Sequence, residues 1–250
     1  MRTETTSNLA QTLAQSPLCA GLAQPALKEM ASHFTGERWP ARTQIAAPAQ
    51  TAEQFRIITR GRVKIARSHP GSGRNLTLWL LGPGDAFDVV SLLDGEPHEV
   101  TAWSLDEVQT LCVPLARFRR WLERSPALRA ATHAYVAERF RELSELAGEL
   151  ALHDTLTRLG QRLLQHFDHQ HPKAKSAALI HDLPQEELAS LIGSVRVVVS
   201  RLLAQLKRDS VIKLDRRALQ VMDLKRLLRR IETQLPRTPR QPRTRQSSGR

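Results

Sequence analysis

Residues 183–207 read LPQEELASLIGSVRVVVSRLLAQLK, and the spacing of their apolar residues decides the fold of the C-terminal part of the chain. The spacing predicts one short helix over 185–192 and a second helix from Val195 onward. Gly193 between them supplies the tight turn that a helix-turn-helix often uses. Ser194 is expected to cap the second helix, because its hydroxyl can accept a bond from a free backbone amide. The predicted buried face of that helix consists of Val199, Leu202, Leu203 and Leu206.

The opposite face of the second helix is the candidate recognition surface. It carries Arg196, Val197, Ser200 and Arg201 near the helix N-terminus, the end that a recognition helix presents to base edges. An exposed arginine there can bind guanine through two hydrogen bonds. A two-helix corner with a glycine turn also occurs in plain helical bundles. Residues 211–222 favour DNA binding instead, because they predict a β-hairpin wing after the two helices.

The positive charge of the chain is concentrated in the same region. The whole sequence has a net charge of +12, and residues 183–250 contribute 16 Lys and Arg against 6 Asp and Glu, a net of +10. This asymmetry favours a polyanionic partner for the last quarter of the chain. Residues 233–250 contain three prolines, five arginines and no acid, which predicts a disordered basic tail.

Upstream, the pattern is that of a β-rich domain. Short apolar stretches at 55–58, 63–66, 76–81, 100–103 and 108–113 alternate with turn signals such as Pro70-Gly71-Ser72-Gly73. This predicts a β-sandwich or β-roll. Pro126 then begins a long helix expected to reach Phe167. Its residues Val136, Phe140, Leu143, Ala147 and Leu150 follow the spacing of a dimer seam, although packing within its own domain is the alternative.

Other features limit the class of protein. There is no apolar run of the roughly 20 residues that a membrane span needs, and the polar N-terminus lacks the apolar stretch of a signal peptide, so the sequence predicts a cytoplasmic protein. The two cysteines, Cys19 and Cys112, lie in apolar settings and are too few for a four-thiolate iron–sulfur cluster. His166, His169 and His171 are interpreted as a polar linker rather than a metal site. No nucleophile–base pairing or phosphate loop indicates an enzyme.

In the order of its parts, the sequence resembles the Crp/Fnr family of bacterial transcription regulators. Three segments carry the resemblance: residues 16–22, SPLCAGL; residues 81–87, LGPGDAF; and residues 188–196, LASLIGSVR. It implies an α+β chain with a β-roll sensor domain over 16–125, a dimerisation helix over 126–167 and a winged helix-turn-helix over 168–232. The basic tail over 233–250 would follow.

The family places its effector between the β-roll and the long helix. This implies a largely apolar pocket formed by Phe87, Val89, Val90, Ser91, Leu92, Val100, Thr101 and Trp103, with Val136, Phe140 and Leu143 from the helix. Members that bind cyclic nucleotides carry a Glu and an Arg-Ser or Arg-Thr pair where this chain has Val90 and Val100-Thr101. A cyclic phosphate would lack its cation, which argues against cAMP. An apolar small molecule, haem or no ligand remain open, although Val90 cannot replace the histidine ligand of the haem-binding branch.

The resemblance also implies a DNA interface and partners. Arg196, Val197 and Ser200 are expected to read bases, whereas Gln185, Ser194, Arg201 and Lys207 are expected to contact phosphates. Double-stranded DNA, a second copy of the chain and RNA polymerase are the implied partners. The alternatives are a haem or small-molecule sensor that acts through protein contacts, and a nonspecific basic nucleic-acid-binding protein.

Overall fold

The fold is described from a computed structural model that covers residues 2–167, 182–214 and 219–232. The helices are α1 (Arg2–Ala14), α2 (Gln24–Ala31), α3 (Val89–Asp94), α4 (Leu115–Arg124), α5 (Pro126–Leu152), α6 (Thr155–Phe167), α7 (Gln185–Leu191), α8 (Arg196–Arg208) and α9 (Leu224–Glu232). The strands are β1 (Thr35–Trp39), β2 (Gln44–Ala46), β3 (Gln54–Arg60), β4 (Val63–Ser68), β5 (Asn75–Leu81), β6 (Ala86–Phe87), β7 (Thr101–Ser104), β8 (Val108–Pro114), β9 (Ile212–Leu214) and β10 (Leu219–Val221). The α+β class predicted from the sequence is confirmed.

The N-terminal domain contains two antiparallel four-stranded sheets. One has the strand order β1-β8-β3-β6 and the other has the order β2-β7-β4-β5. Residues from both sheets form a shared apolar core that includes Ile58, Ile65, Leu81, Phe87 and Val108. Two sheets that bury their inner faces together explain the short alternating strands of the sequence, and they confirm the predicted β-roll.

A second apolar core lies between the β1-β8-β3-β6 sheet and the surrounding helices. Phe55 of β3 contacts Phe118 of α4 with ring centroids 4.1 Å apart. The start of α5 packs there too, because Tyr135 is buried and its hydroxyl donates to the carbonyl oxygen of Ala86 at 3.0 Å. The same hydroxyl accepts a bond from the Ala86 amide at 3.0 Å. Tyr135 therefore fixes α5 against β6.

The strands that the sequence predicted from apolar runs are all present, with bounds within a few residues. The first helix and the short strands β1, β2 and β6 were not predicted. Each of these strands contains only one or two apolar residues, which is too few to show an alternating pattern. Helix α1 contributes Ala10 and Leu13 to the core, although its polar composition gave no signal.

The long central helix differs from the prediction, because it ends at Leu152 instead of continuing to Phe167. His153 is extended, and the side chain of Asp154 accepts a 2.7 Å bond from the Thr157 amide, which starts α6 as a separate helix. Aspartate in this position is a typical N-cap. Buried Leu159 and Leu163 of α6 then pack with the C-terminal helices. Residues 155–167 therefore belong to the core of the second domain.

The second domain packs α6, α7, α8, α9 and the β9-β10 hairpin around one apolar core. Helices α6 and α9 approach closely at Gly160, where an added Cβ would lie 2.6 Å from Cδ1 of Ile231. The antiparallel β9-β10 pair confirms the predicted wing hairpin, whose turn at 215–218 lies outside the described residues.

Replacement of Tyr135 by phenylalanine tests the link between α5 and the β-roll. The change leaves the buried amide and carbonyl of Ala86 without their partner, so Tyr135→Phe should lower the unfolding free energy by about 1–3 kcal/mol in urea titrations. Leu152→Ala, at an exposed position of the same helix, is the control and should change stability little. Equal effects of the two substitutions would contradict this role of Tyr135.

Candidate DNA-binding face and effector cavity

Helices α7 and α8 form the predicted helix-turn-helix. Gly193 between them has φ +62°, a left-handed conformation that favours glycine, and the Ser194 amide donates to the Ala189 carbonyl oxygen at 2.8 Å. Val199, Leu203 and Leu206 bury one face of α8 against the domain core. These contacts fix the orientation of α8 relative to α7.

The other face of α8 is exposed, as the sequence predicted. Arg196, Val197, Ser200 and Arg201 are all exposed and lie in the first two turns of the helix. Among the described residues, no ion pair involves Arg196 or Arg201. Both guanidinium groups are therefore available to an external anion or base edge.

The other three residues predicted to contact DNA, Gln185, Ser194 and Lys207, lie outside this exposed face. Gln185 is half-buried at the first turn of α7, and Lys207 is exposed about 16 Å further along α8 than Arg196. Ser194 does not cap α8, because Val195 is the N-cap residue and no side chain bonds to the helix end. The Ser194 backbone bond to Ala189 closes the turn one residue before the cap. Its hydroxyl remains a candidate phosphate contact.

The basic charge of α9 is partly neutralised within the protein. Arg230 lies 2.6 Å from Asp209, and Arg226 lies 3.3 Å from Asp223. The net charge of the last quarter therefore overstates what a polyanion would meet on α9. The basic tail at 233–250 lies outside the described residues.

A cavity of about 60 Å³ lies between the inner face of the β2-β7-β4-β5 sheet, β6, α3 and α5. Five residues of the predicted pocket line it, namely Phe87, Val89, Val90, Val100 and, from α5, Val136. Sequence reasoning missed Trp79, Asp88, His98 and Arg139, among others. The complete lining consists of Ile65, Trp79, Leu81, Ala86, Phe87, Asp88, Val89, Val90, His98, Val100, Ala102, Val136 and Arg139.

The other predicted pocket residues do not line the cavity. In β7, Ala102 is directed inward, so alternation directs Thr101 and Trp103 to the outer face of the sheet. Leu92 packs in the helical core, and Ser91 is buried beside it in α3. Phe140 is 69% exposed, and neither it nor Leu143 reaches the cavity. The prediction assigned whole segments to the pocket, whereas only one face of each contributes.

Two ionisable groups at the cavity lie beside residues of opposite charge type. Arg139 lies 3.1 Å from Glu142, with its guanidinium carbon 5.0 Å from the centroid of the Tyr135 ring. Asp88 lies 3.6 Å from Arg56. Burial raises the pKa of Asp88 to about 8, although the charge of Arg56 opposes that shift. The cavity is thus apolar, with Arg139 paired to Glu142 and with the Asp88 carboxyl largely protonated below pH 8.

His98 and Trp79 lie beside each other in the lining of the cavity. Their ring centroids are 6.5 Å apart in an edge-on arrangement. Burial, followed by the charge of Arg67, lowers the pKa of His98, while Asp94 and Glu99 oppose the shift.

Metal binding and membrane insertion receive no support from the described residues. No group of three or more His, Cys, Asp or Glu side chains that could hold a metal ion occurs among them. The side chains of His166, His169 and His171 lie outside the described residues. Both cysteines are buried, and burial raises the pKa of the Cys19 thiol to about 12. Within the described ranges, no helix is long and apolar enough to cross a membrane.

The raised pKa of Asp88 predicts a dependence of stability on pH. Between about pH 4, the unfolded value, and about pH 8, the folded protein holds more protons at this site than the unfolded chain. The unfolding free energy should therefore fall as pH rises, by at most about 1.4 kcal/mol per pH unit. Asp88→Asn removes the titrating group, and asparagine tolerates the φ of 65° at this position. Urea titrations from about pH 5 to 9 should give a smaller pH slope for the variant.

The slope is the informative quantity in that experiment, because the substitution also changes the packing of this side chain 3.6 Å from Arg56, which shifts stability by an offset at every pH. Glu96→Gln, at an exposed position near the same helix, should leave the slope unchanged. Parallel curves for the wild type and Asp88→Asn would contradict the assignment.

Comparisons with known proteins agree with this architecture. A family model described as a cyclic nucleotide-binding domain matches residues 37–125, and one described as a Crp-like helix-turn-helix domain matches residues 157–230. The second match begins within α6, in agreement with the helix break described above. The two models together match more than half of the chain.

Individual relatives point to the same family. The "CRP-like cAMP-activated global transcriptional regulator" of Mycobacterium tuberculosis is 28% identical over 221 residues, which cover 87% of this chain and 97% of that protein. Among solved structures, a Eubacterium rectale protein assigned to the crp/fnr family of transcriptional regulators is similar, with a TM-score of 0.70 and 18% identity, covering 87% of this chain and 99% of that one. The c-di-GMP responsive global regulator CLP of Xanthomonas campestris has a TM-score of 0.69 and 20% identity, covering 80% and 100%. From its two matched domains and these relatives, the chain belongs to the Crp/Fnr family of transcription regulators.

Proposed function

We propose that this Crp/Fnr-type regulator binds double-stranded DNA as a homodimer on a near-palindromic site. The two copies of α8 would enter successive major grooves about 34 Å apart. The observation that carries the proposal is the exposed face of α8, where Arg196, Val197, Ser200 and Arg201 surround the helix N-terminus. Base reading by Arg196, Val197 and Ser200, with phosphate contacts from Gln185, Ser194, Arg201 and Lys207, is the assignment we put forward.

The dimer would form along α5. Val136 and Leu143 are only partly buried, while Ala147 and Phe140 are exposed, so this face of the helix is accessible to a second copy. A phenylalanine exposed on the seam of a long helix favours pairing, because a second chain would remove its ring from water. Leu150, at the end of the seam, also packs against the Gly193 turn of its own chain. We therefore place the principal contacts of the seam between Val136 and Ala147.

The effector would be a small, mainly apolar molecule rather than a cyclic nucleotide or haem. A cavity of about 60 Å³ is far below the roughly 300–1,000 Å³ typical of ligand pockets. Arg139 is already paired with Glu142, which leaves little uncompensated charge for a cyclic phosphate. Buried Trp79 Nε1 and Arg139 Nε have no hydrogen-bond partner in the described part of the chain, which favours a ligand with a hydrogen-bond acceptor.

The protein would act by binding rather than by catalysis, in the cytoplasm where its DNA is, and through contact with RNA polymerase. The relatives that share its two domains are transcription regulators, which act by binding. A sensor that acts only through protein contacts would not need the exposed arginines of α8. A nonspecific nucleic-acid binder would not need a dimer seam.

The function can be tested by selecting bound sequences from a randomised duplex pool at about 0.15 M salt with the full-length protein. The proposal predicts a two-fold symmetric motif with half-sites about one helical turn apart. Bound DNA without an enriched motif would favour the nonspecific binder. No binding, with or without candidate small apolar ligands, would favour the sensor that contacts only protein.

Arg196→Ala should relax specificity at one base pair of each half-site and cost about 1–3 kcal/mol of binding there. The matched control is Lys207→Ala on the same helix, which should weaken binding to all sequences about equally. Competition binding against single-base variants of the selected site separates the two effects. A uniform loss for Arg196→Ala would contradict its assignment as a base-reading residue.

A further inference from the structure

Strands β4 and β5 use their two faces for different purposes. Ile65 of β4 and Trp79 and Leu81 of β5 line the cavity on the inner face. Lys64 and Thr77, on the outer face, contact the helix-turn-helix. One layer of polypeptide therefore separates the effector cavity from the DNA-binding domain.

A β-bulge makes this arrangement possible. Ile65 pairs with Trp79, but the next residue, Ala66, pairs with Thr77, so Leu78 is an extra residue in β5. Thr77 and Trp79 would share a face on a regular strand, because side chains alternate with a period of two. The bulge directs Thr77 outward and Trp79 inward.

The outer face holds α7 through two polar contacts. The hydroxyl groups of Thr77 and Ser190 lie 2.8 Å apart, and both residues are buried. Lys64 Nζ donates to Glu187 Oε2 at 2.7 Å, with the two side chains only 11% and 23% exposed. Glu187 and Ser190 are three residues apart and lie on one face of α7. We call these two contacts the sheet–α7 clamp.

Neighbouring contacts support the same orientation. Arg62, just before β4, lies 2.6 Å from Asp182 and 2.7 Å from Asp106. An added Cβ on Gly193 would lie 2.5 Å from Leu150 Cδ2 and 3.4 Å from Leu76 Cδ1, so the turn before α8 packs against both α5 and β5. The helix-turn-helix is thus held on the β-roll as well as connected to it by the chain.

We propose that Lys64 and Thr77 are positioning residues for DNA recognition, which act through Glu187 and Ser190 to set the orientation of α8 relative to the dimer seam. The exposed face of α8 stays accessible while the clamp is closed, so the clamp is compatible with DNA contact. In a dimer, this orientation would determine which half-site spacing both recognition helices can use. This inference rests on the proposed homodimeric DNA binding.

Charge reversal in the full-length protein tests the clamp. Lys64→Glu and Glu187→Lys each place like charges together, while the double variant restores an opposite pair. Affinity is measured on the selected site and on sites with one or two base pairs added or removed between the half-sites. Each single variant should reduce the preference for the best spacing by about fivefold or more. The double variant should recover it to within about twofold.

The readout is the ratio of the affinities for sites with different half-site spacings. This ratio is used because Glu187→Lys also adds positive charge near DNA, which strengthens binding equally at every spacing. The matched control is Glu107→Lys, which breaks the exposed ion pair of the β-roll with Arg38 at 3.5 Å and should leave the ratio unchanged. Unchanged spacing preference in both single variants, or no recovery in the double variant, would overturn the proposal.

Calorimetric unfolding tests the clamp without DNA. If the clamp holds the two domains together, the C-terminal domain of each single variant should unfold at a lower temperature than the β-roll, as a separate transition. The double variant should restore the wild-type behaviour. If the pool selection yields no motif but the melting behaves this way, the proposed DNA recognition fails while the clamp stands as an interdomain contact without a positioning role. Unchanged melting in the single variants would overturn the clamp itself.

Discussion

The two hydrogen bonds between the Tyr135 hydroxyl and the Ala86 backbone fix α5 against the β-roll, and much of the structure depends on that position. With α5 held there, Val136 and Arg139 close one side of the cavity. Phe140, one residue further, is directed away from the cavity and stays exposed. The far end of the helix brings Leu150 to the Gly193 turn. Helix α5 therefore lines the cavity, carries the predicted dimer seam and contacts the helix-turn-helix.

Charged side chains differ between the β-roll, where several are paired, and the exposed face of α8, where, among the described residues, they are not. Several buried or half-buried charged groups of the β-roll are paired within the protein, as in Arg56 with Glu37 and in Lys64 with Glu187. Breaking one partner of such a pair leaves a poorly solvated charge, so these contacts restrict the orientations of the elements that carry them. Arg196 and Arg201, by contrast, are exposed on α8 and have no ion pair within the described residues. The internal ion pairs hold the domains in place, and the exposed arginines of α8 can then bind an anion in a defined orientation.

The features that the sequence predicted correctly are those encoded locally. The helix-turn-helix follows from Gly193 and from apolar spacing within 25 residues, and the longer strands follow from apolar runs between turn residues. The pocket was predicted less well, because lining depends on which face of each strand is inner. Thr101 and Trp103 were assigned to the pocket although β7 directs Ala102 inward. The helix break had a local signal in Asp154, but the absence of proline from residues 128–167 favoured a continuous helix. Trp79 and Arg139 come from elements distant in sequence, so only the fold brings them to His98.

The bulge at Leu78 has a consequence for how a regulator of this design can diversify. Side chains that would meet a ligand, such as Ile65 and Trp79, alternate along the same two strands with those that meet α7. Substitutions on the inner face can therefore change ligand preference while the outer face, and the geometry of DNA recognition with it, stays constant. An insertion or deletion in β5 would instead exchange the two faces and affect both tasks together. Ligand specificity can thus evolve by point substitutions in β5, while the contact of β5 with α7 keeps the length of the strand constant.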